Sequence, residues 1–154
     1  MSELKATLKA DLTIATKAHD KVTLATLRMA LTAITNEEVA GKEARVLSDA
    51  DVMVVLTKES KKRREAITAY TDANRPDLAA VEIAELAVLE RYLPAQLSET
   101  ELAQMIADAV AVAEAAGQTG MKAMGIVMKE LQPKVTGRAD GSAVAAAVKQ
   151  ALGA

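Results

Sequence analysis

Nucleophilic catalysis of the serine or cysteine type needs a histidine beside the nucleophile and an acid to orient it. This chain has one histidine, His19, and no cysteine. His19 falls between two apolar-periodic stretches, in an apparent turn, where a titratable side chain simply meets solvent. Metal chemistry is as poorly supplied. Only carboxylates remain as ligands, and Glu37-Glu38 and Glu82 with Glu85 lack the spacing of a calcium loop or a di-metal helix motif. They read as solvated faces, and no metal is expected. Gly117, Gly120 and Gly125 are too irregular for a dinucleotide fingerprint, and no phosphate-cradling loop or Ser-Ser-Lys amidase constellation is present. No cofactor is expected, and no catalytic residue can be nominated.

What remains is positive charge, in two places. The densest run is Lys58-Glu-Ser-Lys-Lys-Arg-Arg-Glu65. On a helix Lys58, Lys61 and Lys62 share a broad face with Glu65, and Arg63 and Arg64 turn increasingly away. Glu59 and Glu65 interrupt the strip, so it reads most simply as a solvated helix face and alternatively as a secondary phosphate-facing patch. The tail differs. From Gln118 onward Lys122, Lys129, Lys134, Arg138 and Lys149 face only Glu130 and Asp140, giving +3 against −5 for the rest and −2 overall. Lys122 and Lys129 lie seven apart, beside a methionine stripe, and Lys134 and Arg138 are expected on the loop into the last helix. Asp140, as that helix's N-cap, occupies its amide end, so phosphates would be met by the side chains of Lys134 and Arg138. Gly137 permits a tight turn in the same loop.

Helices must position these groups. Of 154 residues 51% are apolar but 1% aromatic, with Tyr70 and Tyr92 the only rings, a composition that suits closely packed helices. Leu4, Leu8 and Leu12 mark a first helix. Leu24, Leu27, Leu31 and Ile34 mark a second, over about 22–39, with Gly41 as a positive-φ stop. Ser48 caps a third that runs to Asn74 and buries Val52, Val55, Leu56, Ala66, Ile67 and Tyr70. Pro76 opens a fourth with Leu78, Val81, Leu86, Leu89 and Leu93. Leu93-Pro94-Ala95-Gln96-Leu97 is the expected boundary, after which Ser98 and Glu101 form a capping box for a fifth helix that ends at Gly117. The sixth carries Met121, Met124, Met128 and Leu131 on one stripe, with Gly125 beside it for a close backbone approach. Asp140 caps the seventh. The expectation is all-α, with helical domains at 1–94 and 98–154. No apolar run reaches the ~18 residues of a membrane span, and Met1-Ser-Glu-Leu-Lys does not begin a signal peptide, so a cytoplasmic protein without membrane contact is expected.

Nearly the whole chain, in order, resembles the GatB/YqeY family. The matching segments are Leu27-Arg-Met-Ala-Leu-Thr-Ala-Ile34 with Asn36-Glu-Glu, then Lys62-Arg-Arg-Glu-Ala-Ile-Thr-Ala-Tyr70. Glu85-Leu-Ala-Val-Leu-Glu-Arg-Tyr-Leu-Pro-Ala-Gln-Leu97, Met124-Gly-Ile-Val-Met128 and Gly137-Arg-Ala-Asp140 follow. The resemblance implies a helical N-terminal domain and a small three-helix tail domain. A similar tail closes the B subunit of the tRNA-dependent amidotransferase, where it engages the body of the tRNA while chemistry happens elsewhere. The family is therefore associated with carbon–nitrogen ligation using glutamine as amide donor, although this chain lacks the kinase-like and amidase portions. What this implies is a tRNA-associated accessory protein, with amidotransferase or aminoacyl-tRNA synthetase components as further partners. Lys134 and Arg138 match basic positions around the tail's Gly-basic-Ala-Asp turn. With so few rings the chain cannot stack bases of a single strand, so an RNA target would be a folded one. A protein–protein adaptor of the translation or amidation machinery, using the methionine-rich helix, is the alternative.

Overall fold

Helix starts in this chain are written locally. The side chains of Ser2, Asp20, Ser48, Ser98 and Asp140 each accept from the backbone N–H three residues on, at 3.0–3.2 Å, satisfying an amide the helix cannot. They open α1 (Glu3–Lys17), α2 (Lys21–Glu38), α3 (Asp49–Asp72), α5 (Glu99–Ala115) and α7 (Gly141–Ala151). Helix α4 (Pro76–Glu90) starts instead on proline, and α6 (Met124–Val135) continues a 3-10 turn at Gly120–Ala123. These elements come from a computed structural model that describes residues 1–153, and no strand occurs among the described residues.

Ser48 with Asp51 and Ser98 with Glu101 are complete capping boxes. The backbone N–H and hydroxyl of Ser98 hold the Glu101 carboxyl below its ordinary range. A depressed carboxylate pKa contributes stability above its unfolded value, lost as pH falls through the folded one. Ser98→Ala removes the capping hydroxyl and is expected to cost about 1 kcal/mol, and because the Ser98 backbone N–H remains it should flatten the loss of far-UV helicity on acidification only in part. An identical acid titration in the variant would refute this.

Three helices end alike. The residue after the cap takes a left-handed conformation at His19 (φ 55), Asn74 (φ 56) and Gly117 (φ 78). The next N–H then bonds back five residues, Asp20 to Ala15 O, Arg75 to Tyr70 O and Gln118 to Ala113 O. The lone histidine thus occupies a helix-ending position. Gly41 is not used this way: α2 stops at Val39, and Gly41 is absent from the positive-φ set.

Backbone contacts divide the chain into two compact units, Met1–Pro94 and one beginning at Ala95. In the first, α1 packs on α2 and α3, and α4 packs on α2 and α3. Leu8, Leu27, Ile34, Leu47, Leu56 and Leu89 are its fully enclosed leucines and isoleucine. Two polar ties reinforce it. Lys5 Nζ donates to both carboxylate oxygens of Glu38 at 2.6 and 2.7 Å, so Glu38 is not a solvated residue. The Tyr92 hydroxyl donates to Asp11 Oδ2 at 2.6 Å, and burial followed by that bond pushes the phenol above its ordinary pKa.

In the second unit α5, α6 and α7 pack pairwise around Ile106, Ala113, Val127, Leu131, Val144 and Val148. The inner stripe of α6 is Val127, Leu131 and Val135 rather than a methionine stripe. Met124 and Met128 flank it, and Met121, in the 3-10 turn, is 48% exposed. The 3-10 turn takes only Met121 out of the expected stripe, while Met124 and Met128 still pack on the core beside buried Leu131. Gly125 admits no close neighbour, since a Cβ there would meet nothing within 4 Å. On α4, Val81 is half-exposed because Ala79, Val88 and Leu89 form the inner face.

Candidate nucleic-acid interface

Of the cations in the basic run on α3 only Arg63 is buried. Eleven residues is close to three helical turns, so Arg63 falls under the same face as buried Val52 and Leu56. Its side chain is 4% exposed. Nε donates to Glu85 Oε2 at 3.2 Å, and Nη1 to the carbonyl and Oε2 of Glu59 at 3.1 and 3.2 Å. Lys62 bonds Glu59 at 2.6 Å, Arg64 bonds Glu90 at 3.1 Å, and Lys61 lies 3.9 Å from Glu65. Lys58 alone of the five makes no ion pair among the described residues. Arg63 and Arg64 therefore tie α3 to α4, Lys61 and Lys62 pair within α3, and Lys58 and Lys62 remain exposed. Glu85, expected on a solvated face, is the carboxylate that receives Arg63 across the α3–α4 contact, with 15% of its side chain exposed.

The tail cations are different. Lys122 stands on the 3-10 turn, Lys129 and Lys134 on α6, and Lys149 on α7, all four exposed. Among the described residues none of the four has a hydrogen bond or ion pair. They do not converge on one spot. Lys122 is outside α6, so its seven-residue spacing from Lys129 does not align them. Five helical steps set Lys129 and Lys134 about 140° apart around α6. Lys134 sits on the last turn of α6 rather than in a loop, because Pro133 is accommodated inside the helix.

Arg138 is half-buried and built into the unit. Its Nε donates to Ala95 O at 2.9 Å, its carbonyl accepts from Leu97 N at 2.9 Å, and Gln96 Nε2 donates to Gly137 O at 2.8 Å. These three bonds pin the turn before α7 to the segment Ala95–Leu97. Gly137 provides the turn with φ 75, and Asp140 caps α7 through Ala143 N while its carboxylate also accepts from Ser142 Oγ. The Nη groups of Arg138 make no bond among the described residues, and its charge also contributes to the lowered Glu101 carboxyl. The clamp was not read from the sequence. Gln96 and Leu97, next to the boundary proline, were the signal available for it.

No group of three or more His, Cys, Asp or Glu that could hold a metal ion occurs among the described residues. No helix there is long and apolar enough to cross a membrane.

The model of the Yqey-like protein family matches residues 5–152. The chain belongs to this family. A relative from Schizosaccharomyces pombe, named an uncharacterized protein, is 35% identical over 96 residues, which is 62% of this chain and 76% of that one. Further relatives carry the name altered inheritance of mitochondria protein 41, mitochondrial. The one from Pyrenophora tritici-repentis is 29% identical over 96% of this chain and 80% of its own length. The one from Meyerozyma guilliermondii is 34% identical over 56% of this chain and 44% of its own length, so that match spans under half of the relative.

Proposed function

We propose that this YqeY-like chain is a non-catalytic, tRNA-associated accessory protein that meets the phosphates of a folded RNA with the cations of its second unit. One observation carries the reading: Lys122, Lys129, Lys134 and Lys149 are exposed without acidic partners among the described residues, whereas in the denser run on α3 four of the five cations, all but Lys58, are paired with carboxylates. A spread of cations around a small helical unit suits a concave, folded target better than a straight duplex. The absence of Phe and Trp argues in the same direction. The cytoplasm is the setting proposed, and the mitochondrial label belongs to the relatives that bear it.

Anisotropy of labelled bulk tRNA across a salt series tests the reading. With a few phosphates neutralised, the logarithm of affinity should fall against that of salt with a slope of about −2 to −4. Replacing the four lysines with alanine should flatten the slope while leaving far-UV helicity intact. Arg138 is kept, because its Nε holds Ala95. No binding at low salt removes the function, and an unchanged slope in the variant removes the site. The second reading, a helical adaptor of the translation or amidation machinery, draws on an open apolar groove of about 540 Å³ between α5 and α7, lined by Leu102, Ala103, Ile106 and Ala147. A stable partner in a pull-down together with no RNA binding would favour it.

A further inference from the structure

Arg63 has one donor group that its carboxylates do not serve. Nε and Nη1 are taken by Glu85 and Glu59, but among the described residues Nη2 meets only the Met29 sulfur, at 3.7 Å. A thioether is a weak acceptor, and a guanidinium this deeply buried has no water to turn to. Met29 lies on α2 and is 49% exposed, so small solutes reach it from outside while Arg63 approaches from within. The other strongly exposed methionines, Met1 and Met121, have no such donor at sulfur. Met53, Met105, Met124 and Met128 are packed against the two cores.

We infer that Met29 is an oxidation site whose sulfoxide is held by Arg63, binding α2 to α3 and α4 more firmly than the thioether does. The oxidant is hydrogen peroxide. The sulfur lone pair attacks one oxygen of the peroxide, the O–O bond breaks, and the departing hydroxide takes the proton from the transferred oxygen and leaves as water. Sulfur loses two electrons and the peroxide gains them. The new oxygen is a strong acceptor that faces a cation, so it completes the Arg63 shell with a charge-assisted bond. Methionine oxidation ordinarily loosens a packed surface by making it polar. Here the product gains a partner. The guanidinium does not make the sulfur more nucleophilic, so the consequence lies in stability rather than in rate. Sulfoxide reductases provide the route back.

The test is hydrogen peroxide treatment of the full chain, with peptide mass spectrometry to locate the sulfoxide and near-UV tyrosine ellipticity to follow unfolding. Tyr70 and Tyr92 both lie in the first unit and report on it alone. Oxidation at Met29 is expected to raise the unfolding midpoint by about 4 °C or more, the size of one added hydrogen bond in a unit this small. Met29→Leu should abolish the rise, Met121→Leu should keep it, and Met29→Gln, whose carbonyl offers Arg63 a comparable acceptor, should unfold above Met29→Leu. An unchanged or lower midpoint in protein shown to be oxidised at Met29 overturns the inference. So does a Met29 that stays reduced while Met121 is fully converted.

Discussion

Replacing Arg63 with alanine is expected to destabilise the first unit by about 3 kcal/mol, the lower end of the range for breaking a buried ion pair. The lower end applies because Lys62 still pairs with Glu59 at 2.6 Å, leaving Glu85 as the carboxylate without a cation. The expense is that of a stranded charge, so it should shrink when the charge goes too. Arg63→Met keeps most of the aliphatic stem, and combining it with Glu85→Leu should recover most of the loss. Urea unfolding followed by the tyrosine signal reads both variants. A loss under about 1 kcal/mol in Arg63→Ala would mean that Glu85 rehydrates freely and that the α3–α4 tie is incidental.

Leu131→Ala should act on the second unit with similar force. Leu131 is fully buried on the inner stripe of α6, and a leucine deleted to alanine at such a site costs about 2–5 kcal/mol. A unit of roughly 60 residues buries only about 60% of the surface its unfolded chain exposes and holds about 3–9 kcal/mol in total. One deletion therefore removes a large share of its stability. The expected result is a fall in far-UV helicity at a lower midpoint, with near-UV tyrosine ellipticity unfolding where it does in the parent. Both signals moving together would show that the two units do not unfold separately. Affinity for tRNA should disappear with the lost helicity, while the four-lysine variant loses affinity with helicity retained. The pair separates a folding defect from a charge defect.

The sequence alone placed the helix starts capped by Ser48, Ser98 and Asp140, because Ser or Asp and the amide it satisfies lie three residues apart, but the Ser2 and Asp20 caps went unread. It also located the surplus of positive charge in the tail, since a charge count needs no fold. It misplaced Lys134, whose loop is a helix that tolerates Pro133, and Met121, which the 3-10 turn carries away from the stripe of Met124, Met128 and Leu131. What only tertiary structure decided was which cations remain available. Arg63 is buried because Glu85, 22 residues on, comes back beside it, and Arg138 is anchored because Ala95, 43 residues earlier, offers its carbonyl. One sign was there to be read: the face of Val52 and Leu56 runs on into Glu59 and Arg63, and polar residues continuing an apolar stripe announce a buried pair. Their partners lie in another helix, at a distance along the chain that no local periodicity encodes, and only packing brings them together.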